Sequence, residues 1–555
     1  MAHDSHKVSA SKLVLSLLRG ERKETAIILL YGLGVGLLSL AIPVGVQTLV
    51  SNVNFGSLSQ PILFLVVAVF LGLGVAAFLR AIQVVIVEQL QKRFFTQVAL
   101  ELSCRIPRFN LEEGQKGKFP ELVNRFFDVL TVQKSSAMLL LEGFALALQI
   151  SLGLVLLAFY HWFLLAFALV MVVVIGIILF VLGRGAVDTS IEESIQKYRV
   201  AAWLEELAAR PLLFRSAAAR TMALERANEI INDYLTSRSL HFRILMRQVV
   251  GSLTLQAVAS SALLGLGALL VIKNQLTLGQ LVAAEIVVTT ALGSLAKFQK
   301  HLEAFYDLIA ALDKLELLLQ QPMEKSDGVP LPKLTKPAEV EVQGLVYAYG
   351  KQTPLFNELS CRIPAGSSVA ILGSNASGKS TLVDLLYGIK TAQRGTLLIE
   401  GQDYRDLSFD SIREQVALVR GLEMLPGSIF ENVQMGREHI SLEQVRLALS
   451  KLNLLDEVTR LADGIQTQLG GEGRPLSIAQ AHRLVIARAI CSSPRLILVD
   501  ETLDDLDEHS RETALQVLLD KSAPWTLVLT THDLKVASRC ESTISLDSIK
   551  DRRSA

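Results

Sequence analysis

Six long apolar segments lie before residue 300 of this 555-residue chain, at roughly 26–50, 58–79, 138–160, 162–183, 248–272 and 277–296. Each is long enough to cross a bilayer as a helix. The first is full length and more spans follow it, so it reads as a retained membrane helix and not as a cleaved secretory signal. Hydrophobic residues make up 51% of the chain and charged residues 19%, a balance too apolar for an ordinary soluble enzyme.

The basic residues orient the spans. Lys7, Lys12, Arg19, Arg22 and Lys23 precede the first, and the connections 89–136 and 184–247 hold eight and ten basic residues, which predicts that these parts are cytoplasmic. The other connections, 51–57, the hairpin at His161 and 273–276, are short, nearly free of positive charge, and expected outside. Both termini therefore fall inside. The apolar periodicity of the two long connections predicts helices that continue beyond the bilayer.

Lys plus Arg and Asp plus Glu each total 54, and this balance argues against nucleic acid as a partner. Cys104, Cys361, Cys491 and Cys540 are far apart, without the paired spacing of a zinc site or disulfide scaffold. Within the spans, Glu285 is the clearest ionisable residue, with Glu142 near the inner end of the third. Glu285 suits a substrate path or an interhelical hydrogen bond, while Arg80 and Glu142 reach the inner interface. Pro43 and the glycines Gly32, Gly34, Gly36, Gly72 and Gly74 predict a kink or close packing in the first two spans.

Segment 322–338 (PMEKSDGVPLPKLTKPA) is rich in Pro and Lys, lacks apolar periodicity and reads as a linker. Short apolar strands alternating with amphipathic helices follow it, as in an α/β domain. The predicted organisation is a cytoplasmic N-terminal segment (1–24), an all-α six-helix membrane domain (25–321), the linker (322–338) and an α/β domain (339–555), which the G-x-x-x-x-G-K-S motif at 373–380 makes a nucleotide-binding P-loop domain.

The strongest chemical signal is Gly373-Ser374-Asn375-Ala376-Ser377-Gly378-Lys379-Ser380, with Thr381 next to it. This G-x-x-x-x-G-K-S loop follows a predicted strand over 368–372 and opens a helix over 379–387. The glycines let backbone N–H groups close around phosphates, and the helix start adds a favourable dipole. Lys379 can neutralise the β and γ phosphates, and Ser380 can ligate Mg²⁺. A second signal is 495–501 (RLILVDE), an apolar strand ending in two acids. Asp500 suits Mg²⁺, and Glu501 suits polarising the attacking water. Together the two motifs imply ATP or GTP hydrolysis.

These residues resemble the ATP-binding cassette (ABC) transporters, specifically exporter-type half-transporters in which six membrane helices are fused to one nucleotide-binding domain. The resemblance covers nearly the whole chain. It implies ATP and Mg²⁺ as cofactors, Tyr349 (VYAYG) as the adenine-stacking aromatic, His532 (TTHD) as the γ-phosphate switch histidine and Asp507 as the D-loop acid. The family signature, ideally LSGGQ, is matched by 476–480 (LSIAQ): Leu476, Ser477 and Gln480 remain, and Ile478 and Ala479 replace both glycines. In the family this segment caps ATP held by the opposite subunit, and added β-carbons there hold the phosphate farther away. At the family's Q-loop glutamine stands Arg420 (VALVR). A guanidinium cannot coordinate a cation; it either binds phosphate or points to solvent. The x-loop segment 467–473 (TQLGGEG) keeps its glycines, with Glu472 one place later than in the common pattern.

The resemblance further implies a dimer, because phosphate loop and signature face different partners. It implies coupling segments near 117–125 and 209–218, and alternating access driven by ATP. The leading expectation is an ATP-driven exporter with ATPase activity, partnered by a second half-transporter, self or related, and by membrane lipids. The transported substrate is not readable from the sequence, and a periplasmic adaptor is left open. The expected location is a bacterial inner membrane. Two alternatives stand beside it: a degenerate-signature subunit of a heterodimeric exporter, and an ATP-binding regulatory membrane protein that moves no cargo.

Overall fold

The computed structural model describes residues 22–54, 59–110, 112, 119–325, 327–350 and 352–547. The N-terminal segment 1–21 and positions 117–118 of the expected first coupling segment lie outside them. The chain divides into two compact units, 1–108 with 115–321, and 109–114 with 322–555.

The first unit is helical. Among the described residues, five helical stretches, several of them made of consecutive helices, are long and apolar enough to cross a membrane: Lys23–Val50, Ile62–Arg108, Leu122–Leu157, Trp162–Ala209 and Ala217–Ile272. A shorter apolar stretch, Leu278–Val288, opens the helix Leu278–Leu319. Where they are described, the six apolar segments of the sequence fall in these stretches or in the helices Ser59–Arg105, Phe144–Tyr160 and Leu278–Leu319 that continue them, with position 58 outside the described residues and Thr277 the cap of the last, and the protein is an integral, multi-pass membrane protein. At 1.5 Å per residue the 56-residue helix Ala217–Ile272 is about 80 Å long, far more than a hydrocarbon core of about 30 Å. It therefore extends well beyond the bilayer, as the periodicity predicts. Phe64, Phe159 and Phe180, each about four-fifths exposed, stand outward where lipid would cover them.

Local chemistry sets the helix boundaries. Ser216 Oγ accepts from Ala219 N at 3.2 Å to open the longest helix. Thr277 and Gln280 form a reciprocal capping box at the start of the last. The expected kink at Pro43 is a break, with helices Arg22–Ser39 and Ala41–Asn54 separated at Leu40. Proline has no N–H to offer the carbonyl of Ser39, and its ring crowds that carbonyl. Close packing is visible at Gly32, where a Cβ would sit 2.9 Å from the Phe144 ring. One π turn, Ile177–Val181, is backed by buried Gln248, whose Nε2 reaches Ile178 O at 3.4 Å and Tyr306 Oη at 3.3 Å. A side-chain amide there offers a donor to carbonyls of the widened turn.

The second unit is built on two main sheets. Strands β1 (Val340–Tyr347), β2 (Phe356–Ile363), β4 (Arg394–Ile399) and β5 (Gln402–Asp403) form an antiparallel sheet in the order β2-β1-β4-β5. Strands β3 (Ser368–Leu372), β6 (Val416–Arg420), β9 (Leu496–Asp500), β10 (Thr526–Thr530) and β11 (Ser542–Ser545) form a parallel sheet in the order β11-β3-β10-β9-β6. The short pair β7 (Gly427–Ser428) and β8 (Gln468–Leu469) stands apart.

The central strands β9 and β10 are buried on both faces, which is why they read as largely apolar runs, whereas the edge strand β11 is partly exposed. Leu496 and Leu498 of β9 pack into one core cluster with β1, β2 and the helix Lys379–Leu386, while Ile497 and Val499 point into the other with the helix Ile478–Cys491. Register then aligns the strand ends. Arg420 pairs with Asp500 across β6 and β9, Thr530 pairs with Asp500 across β10 and β9, and Thr530 pairs with Ile371 of β3. The carboxyl edge of such a sheet is where a ligand crevice forms.

Candidate nucleotide-binding site

The loop 373–380 leaves the carboxyl end of β3 and opens the helix Lys379–Leu386, one residue shorter than expected because Tyr387 caps it. Gly378 sits at φ +110°, and a Cβ there would lie 2.7 Å from the Phe356 ring, so both conformation and space demand glycine. A Cβ on Gly373 would lie 2.3 Å from Ser377 Oγ. That hydroxyl is buried and makes no hydrogen bond among the described residues. A tight glycine cradle holding an unanswered polar atom fits a phosphate chain, whose oxygens would supply the partner.

Lys379, almost fully buried, curls over the loop: Nζ donates to Gly373 O at 3.0 Å and Ser374 O at 3.3 Å and pairs with Glu501 Oε1 at 3.3 Å. The outer side of the loop is held by Asp547, which accepts from Ser374 N at 2.7 Å and Ser374 Oγ at 2.9 Å.

Asp500 and Glu501 end β9 in different environments. Asp500 is buried, and its Oδ1 accepts from Ser380 Oγ at 3.2 Å and Thr530 Oγ1 at 2.8 Å. Glu501 turns away at φ +54°, a left-handed conformation that costs an ordinary residue about 1–3 kcal/mol. Its N–H is secured by Thr530 Oγ1 at 2.9 Å, and its carboxylate meets His532 Nε2 at 3.0 Å. His532 is in turn positioned by Asp504, which accepts from His532 N at 3.1 Å and Thr531 Oγ1 at 2.5 Å.

Tyr349 follows β1, half exposed, with its hydroxyl 2.7 Å from Thr381 Oγ1. Lys390 Nζ donates to that hydroxyl at 3.2 Å and lies 5.2 Å from the ring centroid. Lys390 also pairs with the buried carboxylate of Asp384.

Arg420 does not point to solvent. Its Nε donates to Asp500 Oδ2 at 2.7 Å, Nη1 to Asp384 Oδ1 at 2.6 Å and Nη2 to Ser380 O at 3.3 Å. For a divalent cation, Ser380 and Asp500 present two adjacent hard oxygens, a fitting pair. The third corner is filled by a guanidinium, which donates only and does not fit.

The signature residues are engaged elsewhere. Ser477 caps the helix Ile478–Cys491 in a capping box with Gln480, and Gln480 Nε2 donates to Glu457 Oε2 at 2.6 Å. Leu476 is buried, whereas Ile478 is 67% exposed at the first position of that helix. Asp507 caps the helix Glu508–Leu518 through Ser510 N at 3.0 Å, and this bonding to Ser510 holds its carboxyl below the usual range. Glu472 is exposed beside Arg474. Within one chain the structure thus gathers Tyr349, 373–381, Asp500, Glu501 and His532, and leaves Leu476, Ser477, Gln480 and Asp507 outside that cluster.

Sequence reasoning missed Asp384, Lys390, Thr530, Asp504 and Asp547. One signal was available: Ser380 and Asp384 are four apart on one helix and share its face.

Comparison with known proteins agrees with this architecture. Residues 356–504 match the ABC transporter family. The ATP-dependent lipid A-core flippase of Saccharophagus degradans is 32% identical over 270 residues, covering 47% of this chain and 45% of the relative. The mitochondrial iron-sulfur clusters transporter atm1 of Aspergillus fumigatus is 30% identical over 283 residues, covering 50% of this chain and 39% of the relative. The chain thus spans about half or less of the length of such relatives. A bacterial Atm1-family ABC exporter solved with ATP bound superposes with a TM-score of 0.80 at 18% identity, covering 97% of this chain and 99% of the other, a likeness of fold. Residues 356–504 thus form an ABC-type ATP-binding domain that follows a helical membrane part, and the chain as a whole has the fold of an ABC exporter.

Proposed function

We propose that this chain is an ATP-driven exporter that works as a pair of half-transporters, with 25–321 as membrane domain, 322–338 as linker and 339–555 as ATPase. The observation that carries it is the alignment of the glycine cradle, Lys379, Glu501 and His532 at the carboxyl edge of the parallel sheet. With ATP seated, Lys379 leaves its carbonyls for the β and γ phosphates and Tyr349 offers its ring to adenine. Glu501 takes a proton from the attacking water as its oxygen bonds the γ phosphorus; the bond to the β–γ bridging oxygen breaks, giving ADP and phosphate. His532 stays on the Glu501 carboxylate and faces the γ phosphate. Ser380 and Asp500 are the residues through which Mg²⁺ would be held.

Leu476, Ser477 and Gln480, with Asp507, would complete the site of the opposite subunit, and closure of the two domains would move the membrane helices. Leu212 and Leu213, both exposed in the turn between helices Ala186–Ala209 and Ala217–Ile272, suit the second coupling contact. The nucleotide-binding domain and both termini would face the cytoplasm of a bacterial inner membrane. Exposed Ile478 at the signature favours a second reading, a heterodimer in which this chain contributes the weaker cap.

The test is ATP hydrolysis by the purified chain in lipid nanodiscs, with oligomeric mass. A dimer whose hydrolysis is abolished by Lys379→Ala and Glu501→Gln supports the homodimeric exporter. A silent chain that gains activity when paired with a signature-intact relative supports the heterodimer, and nucleotide binding without turnover in either setting points to regulation.

A further inference from the structure

We propose that Arg420 is a resident cation of the nucleotide site, standing in for part of the charge of a divalent ion, so that this chain binds ATP nearly as well without Mg²⁺ as with it. The inference rests on the nucleotide-site reading above. Register carries it first: Arg420 ends β6 directly opposite Asp500 at the end of β9, so the guanidinium is delivered to the metal-binding carboxylate by strand pairing. Its three contacts then fix it from three sides, on Asp500, on Asp384 and on the carbonyl of Ser380, the residue that offers the hydroxyl of the same corner.

Charge balance explains why an arginine is stable there. Asp384 is buried, and a buried carboxylate requires a partner. Lys390 takes one oxygen and Arg420 the other. Arg420 and Lys390 against Asp384 and Asp500 make a cluster with no net formal charge, where glutamine at 420 would leave one negative charge facing the phosphates. A dication entering beside Asp500 would have to share that carboxylate with the guanidinium and would be repelled by it. The phosphates meanwhile find fixed positive charge in Lys379 and Arg420, and a planar guanidinium suits phosphate oxygens. The same cluster reaches the adenine side, since Lys390 also donates to Tyr349.

The test is calorimetric titration of ATP into the full chain in nanodiscs, with Mg²⁺ and then with EDTA. The expected result is a Kd that changes less than about threefold between the two conditions, whereas Arg420→Gln binds ATP at least about tenfold more weakly in EDTA and recovers with Mg²⁺. A wild-type Kd that rises about tenfold or more in EDTA overturns the proposal while leaving the ATP site standing. No binding in either condition overturns both the proposal and the reading of the site. The wild-type comparison needs no variant, and Arg420→Lys, which keeps the charge, should stay insensitive to EDTA if Arg420→Gln fails to fold.

Discussion

Glu501 and His532 are joined at 3.0 Å, Oε1 to Nε2, and the same carboxylate oxygen lies 3.3 Å from Lys379 Nζ. One acid thus holds both the residue expected to grip the phosphates and the residue expected to face the γ phosphate. ATP would draw Lys379 away and leave Glu501 oriented by His532 alone, with its backbone N–H still tied to Thr530.

His532→Ala should therefore slow turnover far more than it weakens binding. We expect kcat to fall by about 10–100-fold with the Kd for ATP within about twofold of wild type, the signature of an interaction used in the transition state. Steady-state hydrolysis and equilibrium titration on the same nanodisc preparation measure the two quantities. An unchanged kcat would remove His532 from the chemistry.

The four cysteines should differ in reactivity, because burial favours the neutral thiol at Cys361, Cys491 and Cys540. Burial pushes Cys361 up to about 11 and Cys540 up to about 11, and raises Cys491 as well, while Cys104 is exposed on the helix Ser59–Arg105. A raised thiol pKa means that the reactive thiolate is scarce until the pH approaches that value, so slow labelling at Cys361 and Cys540 should persist through neutral and mildly alkaline pH. Maleimide should modify one of the four cysteines rapidly and all four after unfolding, as read by intact mass. Rapid loss of a second thiol from the folded chain, or fast labelling that survives Cys104→Ser, would contradict the assignment.

Much of this fold is legible in the sequence because its signals are local. The apolar length of each span, the glycine loop between a strand and a helix, and the two acids closing 495–501 each depend on residues within one element, and each lies where the spacing puts it. What escaped depends on strand order. Nothing along the chain says that β10 lies between β3 and β9, so the double use of Thr530, on Asp500 and on the Glu501 N–H, could not be read. Arg420 was recognisable as a departure from a family pattern, but its partners Asp500 and Asp384 are 80 and 36 positions away and meet it only through the β6–β9 register and the helix after the phosphate loop.

The signature offers the sharpest separation of backbone from side-chain effects. Ser477 and Gln480 keep the helix start intact without using Ile478, whose side chain is 67% exposed, while the methyl of Ala479 packs against the core cluster beneath the helix. Restoring glycine at 478 and 479 would remove two β-carbons from a helix N-terminus that the proposed dimer presses against the partner's ATP. Two glycines in the first turn cost the helix up to about 1 kcal/mol each, so the double variant Ile478→Gly with Ala479→Gly should melt a few degrees lower. If the composite site is limited by close approach of that backbone, the same variant should hydrolyse ATP several-fold faster, since only glycine admits the phosphate to its N–H groups at full contact. Melting temperature and hydrolysis rate thus move in opposite directions for the variant. A less stable protein with unchanged or slower hydrolysis would show that these β-carbons do not limit turnover, and would place the limit elsewhere in the cycle.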